Sequence, residues 1–207
     1  VRTKKTEIIP KPLPLSFYTR KSLTVARELL GKTFVRIING KILSGLIVET
    51  EAYTGRTDPA SHSYKGKTKR NEVMFNRPGL LYVYFIYGVH YCANATAGKP
   101  GDAHAVLIRA IEPLSGIEEM KKFRQVNNIY NLTSGPGKLC MALDISLELN
   151  GIDITSKSEV FIFDSGYTNF KISASKRIGI SKAEDRLNRF FIYGNPFVTN
   201  HKFNKLK

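Results

Sequence analysis

Within residues 22–30 the apolar positions Leu23, Ala26, Leu29 and Leu30 recur at helical spacing, and the run stops at Gly31, the residue that best tolerates a left-handed helix end. This predicts a first helix. Residues 33–38 and 42–53 are rich in β-branched side chains and are separated by Asn39-Gly40, a tight-turn pair, which predicts a β-hairpin. Further strands are expected at 81–86, 89–95, 105–111, 160–163 and 190–193. Two short helices are expected from capping signals, one opened by Ser115 with Glu118 and one by Ser134 with Pro136 just inside. No repeat, low-complexity tract or Gly/Ser linker divides the chain. The expectation is a single α+β domain over 1–207: a mostly antiparallel sheet flanked by short helices, with a protruding tyrosine-bearing hairpin.

Composition sharpens this picture. The 207 residues carry 32 Lys+Arg against 17 Asp+Glu, a formal net charge of +15. With 42% hydrophobic residues, including 12 Phe and 10 Tyr, the chain is too apolar for a disordered basic tail and long enough to bury roughly 70% of its unfolded surface. Such a surplus of positive charge implies an extended polyanion as partner, nucleic acid ahead of an anionic membrane. The longest apolar stretch, 80–89, is far short of the ~20 residues of a bilayer span. Residues 1–15 hold Arg2, Lys4, Lys5 and Lys11 beside three prolines and read as a basic arm. Cys92 and Cys140 form no disulfide framework, and four histidines offer neither a CxxC nor an HxxxH pair to hold a metal, which implies an intracellular, metal-free protein.

Candidate chemistry starts in the second hairpin strand. Alternation puts Leu43, Ile47, Glu49, Glu51 and Tyr53 on one face, so two carboxylates share an otherwise apolar surface. A half-buried carboxylate there has a raised pKa suited to general-base work. The alternative is a strand that leaves the core at Glu49, with both side chains solvated. Residues 80–94 hold Tyr82, Tyr84, Tyr87 and Tyr91. Tyr82 and Tyr84 share one strand face, and Tyr87-Gly88 falls at the turn. This reads either as an aromatic-rich core sheet or as a stacking platform with a wedge at its tip.

His62, in Ser61-His62-Ser63-Tyr64, precedes a basic run of Lys65, Lys67, Lys69 and Arg70. It reads as a solvated loop residue or as pocket lining, and the run as a solvated surface or as a phosphate-facing loop. Residues 171–207 carry nine Lys/Arg against Glu184 and Asp185. Arg109 interrupts the apolar run 106–111, and Asn94 follows Tyr91-Cys92-Ala93. Arg109 either points to solvent or needs an anionic partner such as a carboxylate near Glu51 or a phosphate.

Five ordered blocks, V-E-T-E-A-Y (48–53), A-S-H-S (60–63), L-Y-V-Y-F-I-Y-G (81–88), V-L-I-R-A-I-E-P-L (106–114) and S-G-P-G-K-L-C (134–140), resemble the alkyladenine (3-methyladenine) DNA glycosylase family over roughly 24–198. The resemblance implies excision of damaged purines from double-stranded DNA without metal or cofactor. Glu51 matches the carboxylate that activates water, Glu49 a structural carboxylate, and Arg109 the residue that helps hold the water and a phosphate. Tyr53, His62 and Tyr84 match the pocket that stacks the flipped base, Asn94 the residue that screens the purine edge, and Tyr87 the side chain that enters the duplex. The connection 96–104 is slightly longer than the family pattern, a place where lesion preference or backbone contacts would differ. The missing initiator Met and short arm fit a compact bacterial-type enzyme, a cytoplasmic monomer without membrane contact, or a nuclear one in a eukaryote.

Two other functions share some of these features. A non-catalytic nucleic-acid binder would use the charge and tyrosines but has no use for a carboxylate beside the base pocket. A carbohydrate hydrolase would use the carboxylates but not the charge or the wedge.

Overall fold

In the computed structural model, which describes residues 10–204, Asn39 and Gly40 both take positive φ and join β1 (Thr33–Ile38) to β2 (Lys41–Tyr53), with Ile38 opposite Lys41. The remaining strands are β3 (Leu81–Ile86), β4 (His90–Ala97), β5 (His104–Ser115), β6 (Val160–Phe163), β7 (Ile172–Ser175) and β8 (Arg189–Ile192). All eight belong to one sheet ordered β3-β4-β5-β2-β1-β6, with β8 against β2 and β7 against β8, and every pairing among the described strands is antiparallel.

The 13-residue β2 is the axis of the fold. One edge runs along β5 from Ser44 to Tyr53, while the other pairs first with β1 and then, at Glu49, Thr50 and Glu51, with β8. Every residue from Leu43 to Ala52 is consequently buried, and the register slips between Ile47 and Glu49 and again between Glu49 and Thr50. The strand therefore does not leave the core at Glu49, and residues on both of its faces are covered.

Among the described residues five α-helices flank the sheet: α1 (Leu15–Tyr18), α2 (Ser22–Leu29), α3 (Glu72–Phe75), α4 (Ile117–Arg124) and α5 (Pro136–Ala142). From α2, Val25, Ala26 and Leu29 enter the main core with Phe34, Ile47, Ile108 and Ile111, each large side chain contributing ~1.5–3 kcal/mol on burial. Thr50 Oγ donates to the Ala26 carbonyl at 2.9 Å, tying α2 to β2. None of the described helices is long and apolar enough to cross a membrane.

Several expectations need correction. Ser115 does not cap α4: it ends β5, and Gly116 at φ +74°, a conformation glycine adopts without steric cost, turns the chain into the helix. Glu118 pairs instead with Lys121 at 2.7 Å. Pro136 opens α5 as expected, but the capping position is Gly135, and Ser134 lies in a bridge to Ala110. Residues 1–9 of the expected arm lie outside the described residues. Of the rest, Leu13 is buried and Pro12 is bridged to Phe163, while Lys11, Pro14 and Leu15 are exposed. Strand β7, whose I-S-A-S offers no clear pattern, adds to the expected elements.

Candidate active site

Because β2 runs between β5 and β8 at Glu49, each neighbour delivers an arginine to it. Arg109 Nε donates to Glu49 Oε1 at 3.0 Å, Arg189 Nε donates to the same oxygen at 2.6 Å, and the Thr199 N–H donates to Oε2 at 2.8 Å. Burial alone would raise the Glu49 carboxyl, but Arg109 and Arg189 outweigh it and hold it below its ordinary value. The raised pKa expected of a half-buried carboxylate is therefore wrong for Glu49. Two guanidinium groups keep it ionised.

Glu51 is also fully buried, so neither carboxylate is solvated. Tyr53 Oη donates to Glu51 Oε2 at 2.9 Å, the Ile178 N–H donates to Oε1 at 2.8 Å, and an Arg109 terminal nitrogen lies 3.3 Å from Oε1. Arg109, 5% exposed, thus bridges both carboxylates rather than pointing to solvent. Burial, with the negative charge of Glu51 next, pushes the Tyr53 phenol well above its ordinary pKa, so it remains a donor to Glu51.

In front of this cluster opens a cavity of about 510 Å³. Tyr53, Arg109 and Ile178, the three partners of Glu51, all line it, while Glu51 itself stands one layer behind. His62, Tyr84 and Asn94 line it too. The His62 ring stands edge-on to Tyr84 with centroids 4.4 Å apart, and its Nδ1 shares a 2.9 Å hydrogen bond with Tyr82 Oη. Desolvation and then the Arg70 charge push the imidazole down to about 4, so it is neutral at physiological pH although the residue is exposed. Asn94 Nδ2 donates to the Tyr82 carbonyl at 3.0 Å, which orients the amide from below.

Tyr87 sits at the tip of the β3–β4 hairpin, 76% exposed and at φ +55°, beside the mouth of the cavity. Across the mouth, Gly137 of α5 packs so closely on His90 that a Cβ there would meet the ring at 2.9 Å. The tyrosines divide between the two readings the sequence leaves open: Tyr82 is buried in a small cluster with Val73, Met74 and Leu80, Tyr84 packs on that cluster from the cavity side, and Tyr87 is free.

The long connection 96–104 turns inward. Gly98 N–H donates to the Tyr18 and Arg20 carbonyls, each at 3.0 Å, and the Ala103 carbonyl accepts from Ser63 Oγ at 2.9 Å. It thereby anchors the loop that carries His62.

Sequence reasoning missed Asp58, Arg177, Ile178 and Arg189. Arg177 and Arg189 enter the sequence reading only as part of the basic stretch 171–207, yet both are buried in ion pairs, Arg177 bidentate with Asp58 at 2.5 and 2.9 Å. A signal exists for Arg189: it opens the apolar run Phe190, Phe191, Ile192, where a charge needs a buried partner. The Ile178 contribution is a backbone amide, to which side-chain identity gives no clue.

The match to the family model "Methylpurine-DNA glycosylase (MPG)" spans residues 16–196, which contain this site apart from the Thr199 amide. The chain belongs to the methylpurine-DNA glycosylase family. Proteins named "Putative 3-methyladenine DNA glycosylase" resemble it closely. The one from Alkaliphilus oremlandii is 47% identical over 199 residues, covering 90% of this chain and 98% of its own length. That of Clostridium perfringens strain SM101 is 50% identical over 197 residues (88% and 96%), and that of Carboxydothermus hydrogenoformans 48% over 188 (90% and 98%). The protein is a DNA glycosylase of base excision repair, and its substrate is DNA.

Proposed function

We propose that this glycosylase, acting as a monomer in the cytoplasm, flips N-alkylated purines such as 3-methyladenine out of double-stranded DNA and hydrolyses their N-glycosidic bond with a water activated by Glu51. The observation that carries this is the placement of Glu51, an acceptor for Tyr53, Ile178 and Arg109, behind the wall formed by those same three residues. Extruding a nucleotide costs a few kcal/mol, and a side chain at the position of Tyr87 offsets it by filling the gap.

An alkylated purine nucleotide is cationic and already a good leaving group. The rings of Tyr53 and Tyr84 attract it by cation–π interaction, and the neutral His62 adds an aromatic edge without repelling it. Water attacks C1′ and loses a proton to Glu51. The C1′–N bond breaks with its electron pair leaving on the base, and an abasic site remains. Arg109 holds the water and Glu51 in register, and the negative charge of Glu51 stabilises the cationic sugar at the transition state. Asn94, fixed by the Tyr82 carbonyl, screens the purine edge. The neutral lesions hypoxanthine and ethenoadenine need a proton on the leaving base. They are expected to be released more slowly, because burial and the Arg70 charge hold His62 below its ordinary value and make it a poor source of that proton.

The test is single-turnover base release from duplex DNA carrying 3-methyladenine or hypoxanthine, comparing the unmodified protein with Glu51→Gln. The expectation is release, faster for 3-methyladenine, that vanishes in Glu51→Gln while binding to lesion DNA persists. Release undiminished in Glu51→Gln overturns the reading.

A further inference from the structure

The loop 176–182 contributes more than the Ile178 amide. We infer that Arg177, held by Asp58, is a positioning residue that sets both Tyr53 and Glu51 for base release. This rests on the function proposed above for those two residues.

Both members of the pair are fully buried and neither lines the cavity. The Arg177 terminal nitrogens bind Asp58 at 2.5 and 2.9 Å, and one also donates to the Ala52 carbonyl at 3.1 Å, fixing the backbone between Glu51 and Tyr53. The guanidinium carbon lies 4.6 Å from the centre of the Tyr53 ring, backing a wall of the cavity. The residue that follows Arg177 donates its backbone N–H to Glu51. One side chain therefore anchors three elements: the strand bearing Glu51 and Tyr53, the loop of Asp58 that leads to His62, and the loop whose amide meets Glu51.

Charge adds a second consequence. A bare cation behind the Tyr53 ring would weaken the attraction of its other face for a cationic purine. Asp58 neutralises it. The carboxyl of Asp58 is raised by burial but held below its ordinary value by the Arg177 bonds, so compensation persists at neutral pH.

The experiment is single-turnover release of 7-methylguanine (cationic) and hypoxanthine (neutral) from duplex DNA by the full chain, with Arg177→Lys, Asp58→Asn, Asp58→Asn/Arg177→Gln and Glu51→Gln alongside the unmodified protein. The double variant removes both buried charges together, which avoids stranding one. It is expected to keep its melting temperature and its affinity for duplex containing an abasic-site analogue, yet to release both bases on the order of 10- to 100-fold more slowly. Arg177→Lys keeps the charge without the fork and is also expected to be slow, which decides the matter should the double variant not fold. In Asp58→Asn the rate ratio of cationic to neutral base is expected to fall, an effect a purely structural pair would not produce. Double-variant and Arg177→Lys rates within about threefold of the unmodified protein, or an unchanged ratio in Asp58→Asn, overturn the inference. An inactive unmodified protein, or an active Glu51→Gln, overturns the proposed function instead.

Discussion

Arg189 and Glu49 meet at 2.6 Å with neither side chain reached by solvent. Arg189 also donates to Ser175 Oγ at 2.9 Å and Asn204 Oδ1 at 2.8 Å, so β2, β7, β8 and the turn at 202–204 close on one carboxylate. Replacing Glu49 by Gln leaves Arg189 and Arg109 short of their shared counter-charge. Breaking a buried pair costs ~3–5 kcal/mol, and urea denaturation at pH 7 is expected to register a loss of that order. Because the Glu49 carboxyl is lower in the folded protein, its contribution is present above the ordinary value of 4.5 and lost as pH falls through the folded one. Unfolding curves of the two proteins therefore converge below that value. A difference that stays constant from pH 7 to pH 3 would contradict this assignment.

Tyr87→Ala is expected to leave folding stability within about 0.5 kcal/mol, since its side chain is exposed at a hairpin tip. Loss of stacking worth ~1–3 kcal/mol should weaken binding to lesion duplex about 5- to 150-fold. Binding to single-stranded lesion DNA, where no gap needs filling, should change much less. Equilibrium titration of both substrates separates the two effects.

His62 gives a pH prediction. Its folded pKa is about 4 against an ordinary 6.5, so between these values only the unfolded chain gains the proton. Stability from this site is full above about 6.5 and declines as pH falls towards 4. Imidazole resonances of His62 are expected to remain those of a neutral ring at pH 5.5, and His62→Gln should flatten the stability profile between pH 4 and 6.5. A His62 midpoint near 6.5 would refute the proposed environment.

Lys65, Lys67 and Lys69 are exposed in the loop that follows His62, and among the described residues none of them forms an ion pair. If they face phosphate, changing all three to Gln should reduce the slope of log affinity against log salt by about 0.9 for each phosphate no longer neutralised, with melting unchanged. Arg177 and Arg189 should contribute nothing to that slope, because their charges are already matched inside the protein. Filter binding from low to high salt makes the comparison.

Much of this architecture is legible in the sequence because it rests on local chemistry. Asn39-Gly40 makes the β1–β2 turn, Pro136 starts α5, and β1, β3 and β6 fall where β-branched and aromatic runs place them. The electrostatics of the site are not legible there. They depend on β8 replacing β1 beside β2 at Glu49, a long-range pairing that brings in Arg189, and on a backbone amide at Ile178. The Ser115 capping signal misleads for the opposite reason: local propensity yields to a strand that continues through that residue.

The partner switch along β2 also orders events in time. A ribosome makes Glu49 and Glu51 early, whereas Arg109 follows Glu49 by 60 residues and Arg189 by 140. Arg109, which meets both carboxylates, is made well before Arg189, so the β8 half of the network closes last. Completion of the buried network at Glu49 is thereby deferred until nearly the whole described chain has been made.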